Sequence, residues 1–208
     1  MSSEEHLEGR RRAILTAAQQ CFEANGYAAT TVEAVADKAG ISKGSIYNYF
    51  GSKQDLFAQL FASYCTTGKA EYERTASQAT SAIEMLNHML DWWSAMLGNN
   101  TRIGSLVLEY WGTAARQKER GEFSDWFSQM YNERSQKLAG IIAQGVEEGN
   151  FRKGFDPLVA ARLILAMLDG ITIQAVLDQS MKLDSDLLAA IKRAILTSLT
   201  TEPAQEKE

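Results

Sequence analysis

The sequence predicts an all-α protein. A three-helix helix-turn-helix unit occupies about residues 9–53, and a larger helical domain spans 54–200. About nine helices are expected in all, with residues 1–8 and 201–208 as disordered tails. Three observations carry this. Only two prolines, Pro157 and Pro203, interrupt 208 residues. Apolar residues recur at helical spacing almost throughout. Three short helical segments fill the first fifty residues, separated by turns of three to five residues, the spacing of a helix-turn-helix.

The elements follow in order. Ile14, Ala17, Ala18, Cys21 and Phe22 fall at i, i+3, i+4, i+7 and i+8, one face of a helix that begins near Arg10. Asn25-Gly26 ends it, with Gly26 suited to the left-handed residue just past a helix. Thr30-Thr31-Val32-Glu33 reads as a capping box, with the Thr30 hydroxyl taking the Glu33 N–H. Val32, Val35, Ala36 and Ala39 then line a short second helix, which Gly40 breaks. Ser42 is the next cap, opening a very short helix to about Asn48. Ser52…Asp55 resembles another capping box, here with the shorter acid, before a long helix carrying Leu56, Phe57, Leu60, Phe61 and Tyr64.

Beyond it, Ser81…Glu84 caps a helix to about Leu97. Further helices run from Thr101 to Ala115 and from Phe123 to Glu148, the second ended by Gly149-Asn150. Asp156-Pro157 is a strong helix start, with Asp as cap and Pro at the first position. That helix, to about Leu177, is apolar nearly all round. Asp184 begins the last, which carries Leu187, Leu188, Ile191, Ile195 and Leu199.

Composition narrows the function. The chain is 45% hydrophobic and 23% charged, which is globular rather than disordered. Two cysteines cannot build a disulfide framework, so a reducing compartment fits. No run approaches the ~18 uncharged apolar residues of a membrane span, and no apolar signal segment opens the chain. A cytoplasmic protein without a membrane partner is expected. The net charge of −5 is uneven: residues 9–53 hold six basic and three acidic residues, while 54–208 hold 15 basic and 20 acidic ones. A +3 head on an acidic body suits a polyanion that must meet one surface only.

The segment RRRAILTAAQQCFEANGYAATTVEAVADKAGISKGSIYNYFGSKQDLF, from Arg10 onward, resembles the N-terminal domain of the TetR family of bacterial transcription regulators. Its marks are Tyr27, Thr30-Thr31-Val32, Ala36…Ala39-Gly40-Ile41-Ser42, Gly44…Ile46-Tyr47…Tyr49-Phe50 and Ser52-Lys53. The resemblance implies sequence-specific binding to double-stranded DNA at a palindromic operator. The residues make sense for that task. Ser42, Lys43, Gly44 and Ser45 are small, polar or basic, as a helix entering the major groove requires. Lys43 can donate to guanine edges or to phosphate, and Gly44 omits a side chain where backbone approaches DNA. Tyr47 can donate its hydroxyl to phosphate, and Asn48 follows on the same short helix. Thr31 and Lys53 open the flanking helices, where free N–H groups favour phosphate. Arg11, with Arg10 and Arg12, forms either an arm to the DNA backbone or minor groove, or a solvated tail. Tyr49 divides between core and phosphate contact.

The resemblance further implies a helical C-terminal domain that dimerises through its last two helices and binds a small molecule that shifts the spacing of the two heads. The sequence fits this: helices at about 157–177 and 185–199 pair into a four-helix interface between protomers. For the effector, Trp92, Trp93, Met96, Glu109, Tyr110, Trp111, Trp126, Phe127, Met130 and Met167 are the candidates. All four tryptophans lie between 92 and 126, a bias toward an apolar or aromatic ligand. Glu109 either orients a polar or cationic ligand or is an exposed helix acid. The expected function is a repressor released by its effector. An enzyme is disfavoured: no nucleophile elbow, phosphate loop or metal-ligand spacing occurs, and no cofactor is expected. A helical adaptor acting by protein contacts alone leaves Ser42–Tyr47 and the +3 head unexplained, and a regulator without an effector keeps them.

Overall fold

The computed structural model describes residues 3–66, 69–98, 101–116, 122–178 and 180–200. Among them are ten helices: α1 (Ser3–Ala29), α2 (Val32–Ala39), α3 (Lys43–Tyr47), α4 (Lys53–Cys65), α5 (Lys69–Ala76), α6 (Ala82–Gly98), α7 (Thr101–Arg116), α8 (Glu122–Glu147), α9 (Pro157–Leu177) and α10 (Ser185–Leu199). The described residues contain no strand, only an isolated antiparallel bridge between Phe151 and Thr200. The chain forms two compact units. The first comprises Met1–Thr66 with Arg102–Trp126, and the second Thr67–Thr101 with Phe127–Glu208.

In the first unit the apolar stripe of α1 is buried as its spacing requires, with Ile14, Ala18 and Phe22 almost inaccessible. Val32, Val35, Ile46, Phe50, Leu56 and Phe57 close the core from α2, α3 and α4, and Tyr110 of α7 joins it. Each large side chain so buried contributes on the order of 1.5–3 kcal/mol of transfer free energy. Gly40 has φ 67°, ψ 33°, and the Ile41 N–H reaches back to the Ala36 carbonyl at 3.0 Å. This closed helix end sets the turn from α2 to α3.

Four expectations need correction. The helix α1 begins at Ser3, so residues 3–8 belong to it instead of to a tail; residues 1–2 and 201–208 lie outside the described residues. Gly26 has φ 75° but ψ 169°, so it kinks the chain into a further helical turn instead of taking the left-handed helical geometry. Thr31, not Thr30, caps α2: its hydroxyl accepts from the Ala34 N–H at 3.1 Å. The buried Thr30 hydroxyl instead donates to the Cys21 and Gly26 carbonyls. Finally, α5 was not expected, because its residues, KAEYERTA, bury little besides Tyr72 and leave a weak apolar pattern.

The other caps stand where their residues put them. Ser42 accepts from the Ser45 N–H and Ser52 from the Asp55 N–H, while the Asp55 carboxylate takes the Gly51 N–H. Asp156 takes the N–H groups of Leu158 and Val159, and Asp184 that of Leu187.

In the second unit, Leu86, Leu90, Leu138, Ile142, Phe151, Ala161, Ile164, Leu168, Ile195 and Leu199 form one core from α6, α8, α9 and α10. Only one face of α9 is covered. Val159, Leu163, Met167 and Leu177 are 54%, 64%, 42% and 72% exposed. By length and composition α9 is apolar enough to cross a membrane, with Arg162 and Asp169 inside it. These two charges interrupt the uncharged apolar run that the sequence criterion requires.

Candidate nucleic-acid interface

The short helix α3 presents the residues expected to meet DNA. Ser42, Lys43, Gly44, Tyr47 and Asn48 are exposed, and Ser45 is half-buried. Ile46, between them, is buried and locks the helix to the core. Five residues are too few for a helix to hold itself, so Ser42 capping and Ile46 burial supply its stability. The Ser42 and Ser45 hydroxyls also hydrogen-bond each other at 2.8 Å. A Cβ added at Gly44 would meet nothing nearer than the Ser42 hydroxyl at 3.8 Å, ordinary contact. The chain's own packing therefore does not require a glycine there.

Lys43 is not idle without DNA. Its ammonium donates to Glu33 of α2 at 2.6 Å. That hydrogen bond and charge hold the ammonium above the ordinary lysine value. Both side chains remain largely exposed, so the pair is a weak one that phosphate or a base edge can replace. Thr31 is exposed at the start of α2, although its hydroxyl is occupied in capping.

Lys53 is half-buried. Its ammonium lies 4.4 Å from the centre of the Tyr27 ring and donates to the Ala28 carbonyl at 3.2 Å. Burial pushes this ammonium below the ordinary lysine value, and the charge of Glu109 pulls the other way. Arg11 donates to Gln59 of α4, sits 5.7 Å from the centre of the Phe50 ring and approaches Glu8 at 4.0 Å. Held this way it is a fixed element of the head, not a free tail. Arg11 lines a shallow surface hollow with Leu7, Glu8, Asn48 and Tyr49. Tyr49 is half-buried, between its two sequence readings.

The sequence reading missed the partners: Glu33, Gln59 and the Tyr27 ring. Only Tyr27 had a mark, as the aromatic after Asn-Gly. Pairings such as Lys43 with Glu33 depend on how α2 and α3 cross, which no local spacing records.

The effector candidates divide between the two units. In the first, Tyr110 is fully buried, with its ring 5.1 Å from Phe57, 5.0 Å from Phe61 and 6.0 Å from Trp126. Trp111 is half-buried, and its indole Nε1 is buried with no hydrogen-bond partner among the described residues, as is the Tyr64 hydroxyl. The Glu109 carboxylate accepts the N–H groups of Tyr27 at 2.7 Å and Ala28 at 3.2 Å. It is thus an internal anchor and not an exposed helix acid. In the second unit, Trp92 stacks on Tyr72 at 5.3 Å and Phe127 on Tyr131 at 6.0 Å. Trp93 packs against the core, Met96 and Met130 are half-buried, and Met167 lies on the exposed face of α9.

Comparison with known proteins agrees with this head. Residues 14–60 match the model of the bacterial regulatory proteins of the tetR family, and residues 82–201 match that of the BetI-type transcriptional repressor C-terminal domain. The chain is 24% identical over 197 residues to the uncharacterized HTH-type transcriptional regulator YfiR of Bacillus subtilis, covering 95% of each protein. It is 28% identical over 159 residues to the HTH-type transcriptional repressor KstR2 of Mycobacterium tuberculosis, covering 76% of this chain and 77% of that one. Its fold matches the transcriptional regulator FadR from Bacillus subtilis, solved in complex with stearoyl-CoA, with a TM-score of 0.75 and 23% identity over 89% of this chain and 97% of that one. With an exposed, capped short helix in the head and family models matched over most of its length, the chain belongs to the TetR family of DNA-binding transcriptional repressors.

Proposed function

We propose that the protein is a homodimeric repressor of the cytoplasm that reads a palindromic operator and is released by a small apolar or aromatic effector. The exposed residues Ser42, Lys43, Gly44 and Tyr47 carry the reading. Lys43 reads a base edge or phosphate, Gly44 admits the backbone, and Tyr47, Asn48, Thr31, Lys53 and Arg11 contact phosphate. A single head of this size covers one half-site, so two-fold symmetry of the protein is matched by two-fold symmetry in the DNA.

The dimer uses α9 and α10. Val159, Leu163 and Met167 recur every four residues on α9 and expose an apolar stripe that a second copy of the same helices would cover. For the effector, the aromatic residues supply apolar surface. Among the described residues, the buried indole Nε1 of Trp111 and the Tyr64 hydroxyl have no hydrogen-bond partner, and an acceptor on a ligand would satisfy them. FadR, of the same fold, was solved with an acyl-CoA, which makes stearoyl-CoA a reasonable first probe here.

The test uses the full-length protein and a duplex that it selects from a random-sequence library. Binding followed by fluorescence anisotropy, with and without stearoyl-CoA and a panel of apolar and aromatic compounds, should find one that lowers DNA affinity without lowering the unfolding temperature. A dimer that selects a duplex but releases it with no compound would remove the effector from this reading. Failure to select any duplex would remove the reading itself.

A further inference from the structure

Glu109 stands on α7, yet its carboxylate closes on the head. Three observations meet there. Its two oxygens accept consecutive backbone N–H groups, those of Tyr27 and Ala28. These follow the kink at Gly26, whose added Cβ would lie 3.3 Å from each Glu109 oxygen. The segment so fixed holds Lys53: its ammonium rests on the Tyr27 ring and donates to the Ala28 carbonyl. The same segment continues through Thr30, whose N–H and hydroxyl both bond the Gly26 carbonyl, to Thr31, the cap of α2. All these residues lie in one compact unit.

A carboxylate taking two backbone N–H groups makes charge-assisted bonds, about twice as strong as neutral ones. Here it ties α7 to the turn against which Lys53, the first residue of α4, rests. We propose that Glu109 is a positioning residue for DNA binding: by clamping the Tyr27–Ala28 backbone it sets where the Lys53 ammonium meets phosphate, and it is not an effector contact. The clamp acts through two links. The backbone link places the Tyr27 ring and the Ala28 carbonyl under Lys53. The electrostatic link supplies a negative charge that favours the ammonium form of a half-buried lysine. This inference rests on the reading of Lys53 as a phosphate contact.

The experiment compares the full-length protein with Glu109→Gln, Lys53→Ala and the double variant on the selected duplex, between 50 and 300 mM salt, roughly the range over which phosphate contacts are weighed. Glu109→Gln keeps the volume but loses the charge and one acceptor. It should weaken binding roughly tenfold, the scale of a lost charge-assisted hydrogen bond. It should also lower the slope of log affinity against log salt by about one, as the loss of one phosphate contact does. A merely structural role would leave that slope unchanged. Faster hydrogen exchange at the Tyr27 and Ala28 amides, with the Ile14 and Phe22 amides still protected, would show that the clamp opened in a folded head. The double variant should bind no more weakly than Lys53→Ala alone. Wild-type affinity in Glu109→Gln, or losses that add in full, would overturn the proposal. An unchanged salt slope in Lys53→Ala would overturn it too, by removing the contact that Glu109 is said to place.

Discussion

Lys43 and Gly44 show how far a single residue can be read. Lys43 is exposed and paired with Glu33, a bond that DNA would replace on the proposed reading. Lys43→Ala should weaken specific binding by about 1–3 kcal/mol if the lysine reads a base. Glu33→Gln should bind at least as tightly as the wild type, since a competing acceptor is weakened. Gly44 gives a sharper test because a Cβ there has open space within the chain. In Gly44→Ala the helix should gain up to about 1 kcal/mol of stability from propensity. DNA affinity should nonetheless fall if, as proposed, the backbone at Gly44 closes on DNA, because the added methyl group would stand between them. Thermal unfolding and anisotropy on the same samples separate the two effects. The exposure of these residues agrees with what a groove-reading helix requires of its small, polar and basic side chains. The partners were not legible in the sequence: Glu33 and Gln59 lie 10 and 48 positions from Lys43 and Arg11. Glu109 was legible as a carboxylate in an apolar setting. Its target, a pair of backbone N–H groups 82 and 81 positions away, was not.

Among the elements, the helix starts were the most legible part, because a cap is decided within four residues. Asp156-Pro157, Asp184, Ser42 and Ser52 all act where the local pattern puts them. Besides the early start of α1 and the unexpected α5, the cap of α2 departs from the pattern: Thr31 in place of Thr30 turns on burial of the Thr30 hydroxyl against the Gly26 kink, a tertiary effect. The end of α8 makes a strong demand of its own. A Cβ at Gly145 would lie 2.1 Å from the Phe151 ring, which is buried. Gly145→Ala must displace that ring and should cost at least about 1–3 kcal/mol, measured by chemical denaturation. Inside α9, Asp169 accepts from the Tyr131 hydroxyl at 2.7 Å, yet burial raises its carboxyl above the ordinary range, against that bond and Arg134. The folded state therefore binds this proton more tightly than the unfolded chain, so stability falls as pH rises past about 4 and stays lower above the raised value. Asp169→Asn should raise the unfolding temperature at pH 7, and the gain should vanish below about pH 4.

At the level of the whole molecule, the uneven charge and the exposed face of α9 carry the account. The sequence makes α9 apolar nearly all round, and the single chain buries only one side of it. The other face should be covered by a second copy. Leu163→Glu, at a 64% exposed position, should leave the fold intact and shift the protein to monomer at micromolar concentration, read by sedimentation. The all-α architecture followed from proline scarcity and apolar period. The grouping of Arg102–Trp126 with the head unit did not, since it joins segments far apart in the chain. The most direct measurement of the central claim is selection of DNA from a random duplex library by the full-length protein. The account predicts enrichment of a two-fold symmetric sequence whose binding weakens with salt and is selectively weakened in Lys43→Ala. Recovery of no sequence preference, or of a preference that Lys43→Ala and Gly44→Ala both retain at full affinity, would contradict it.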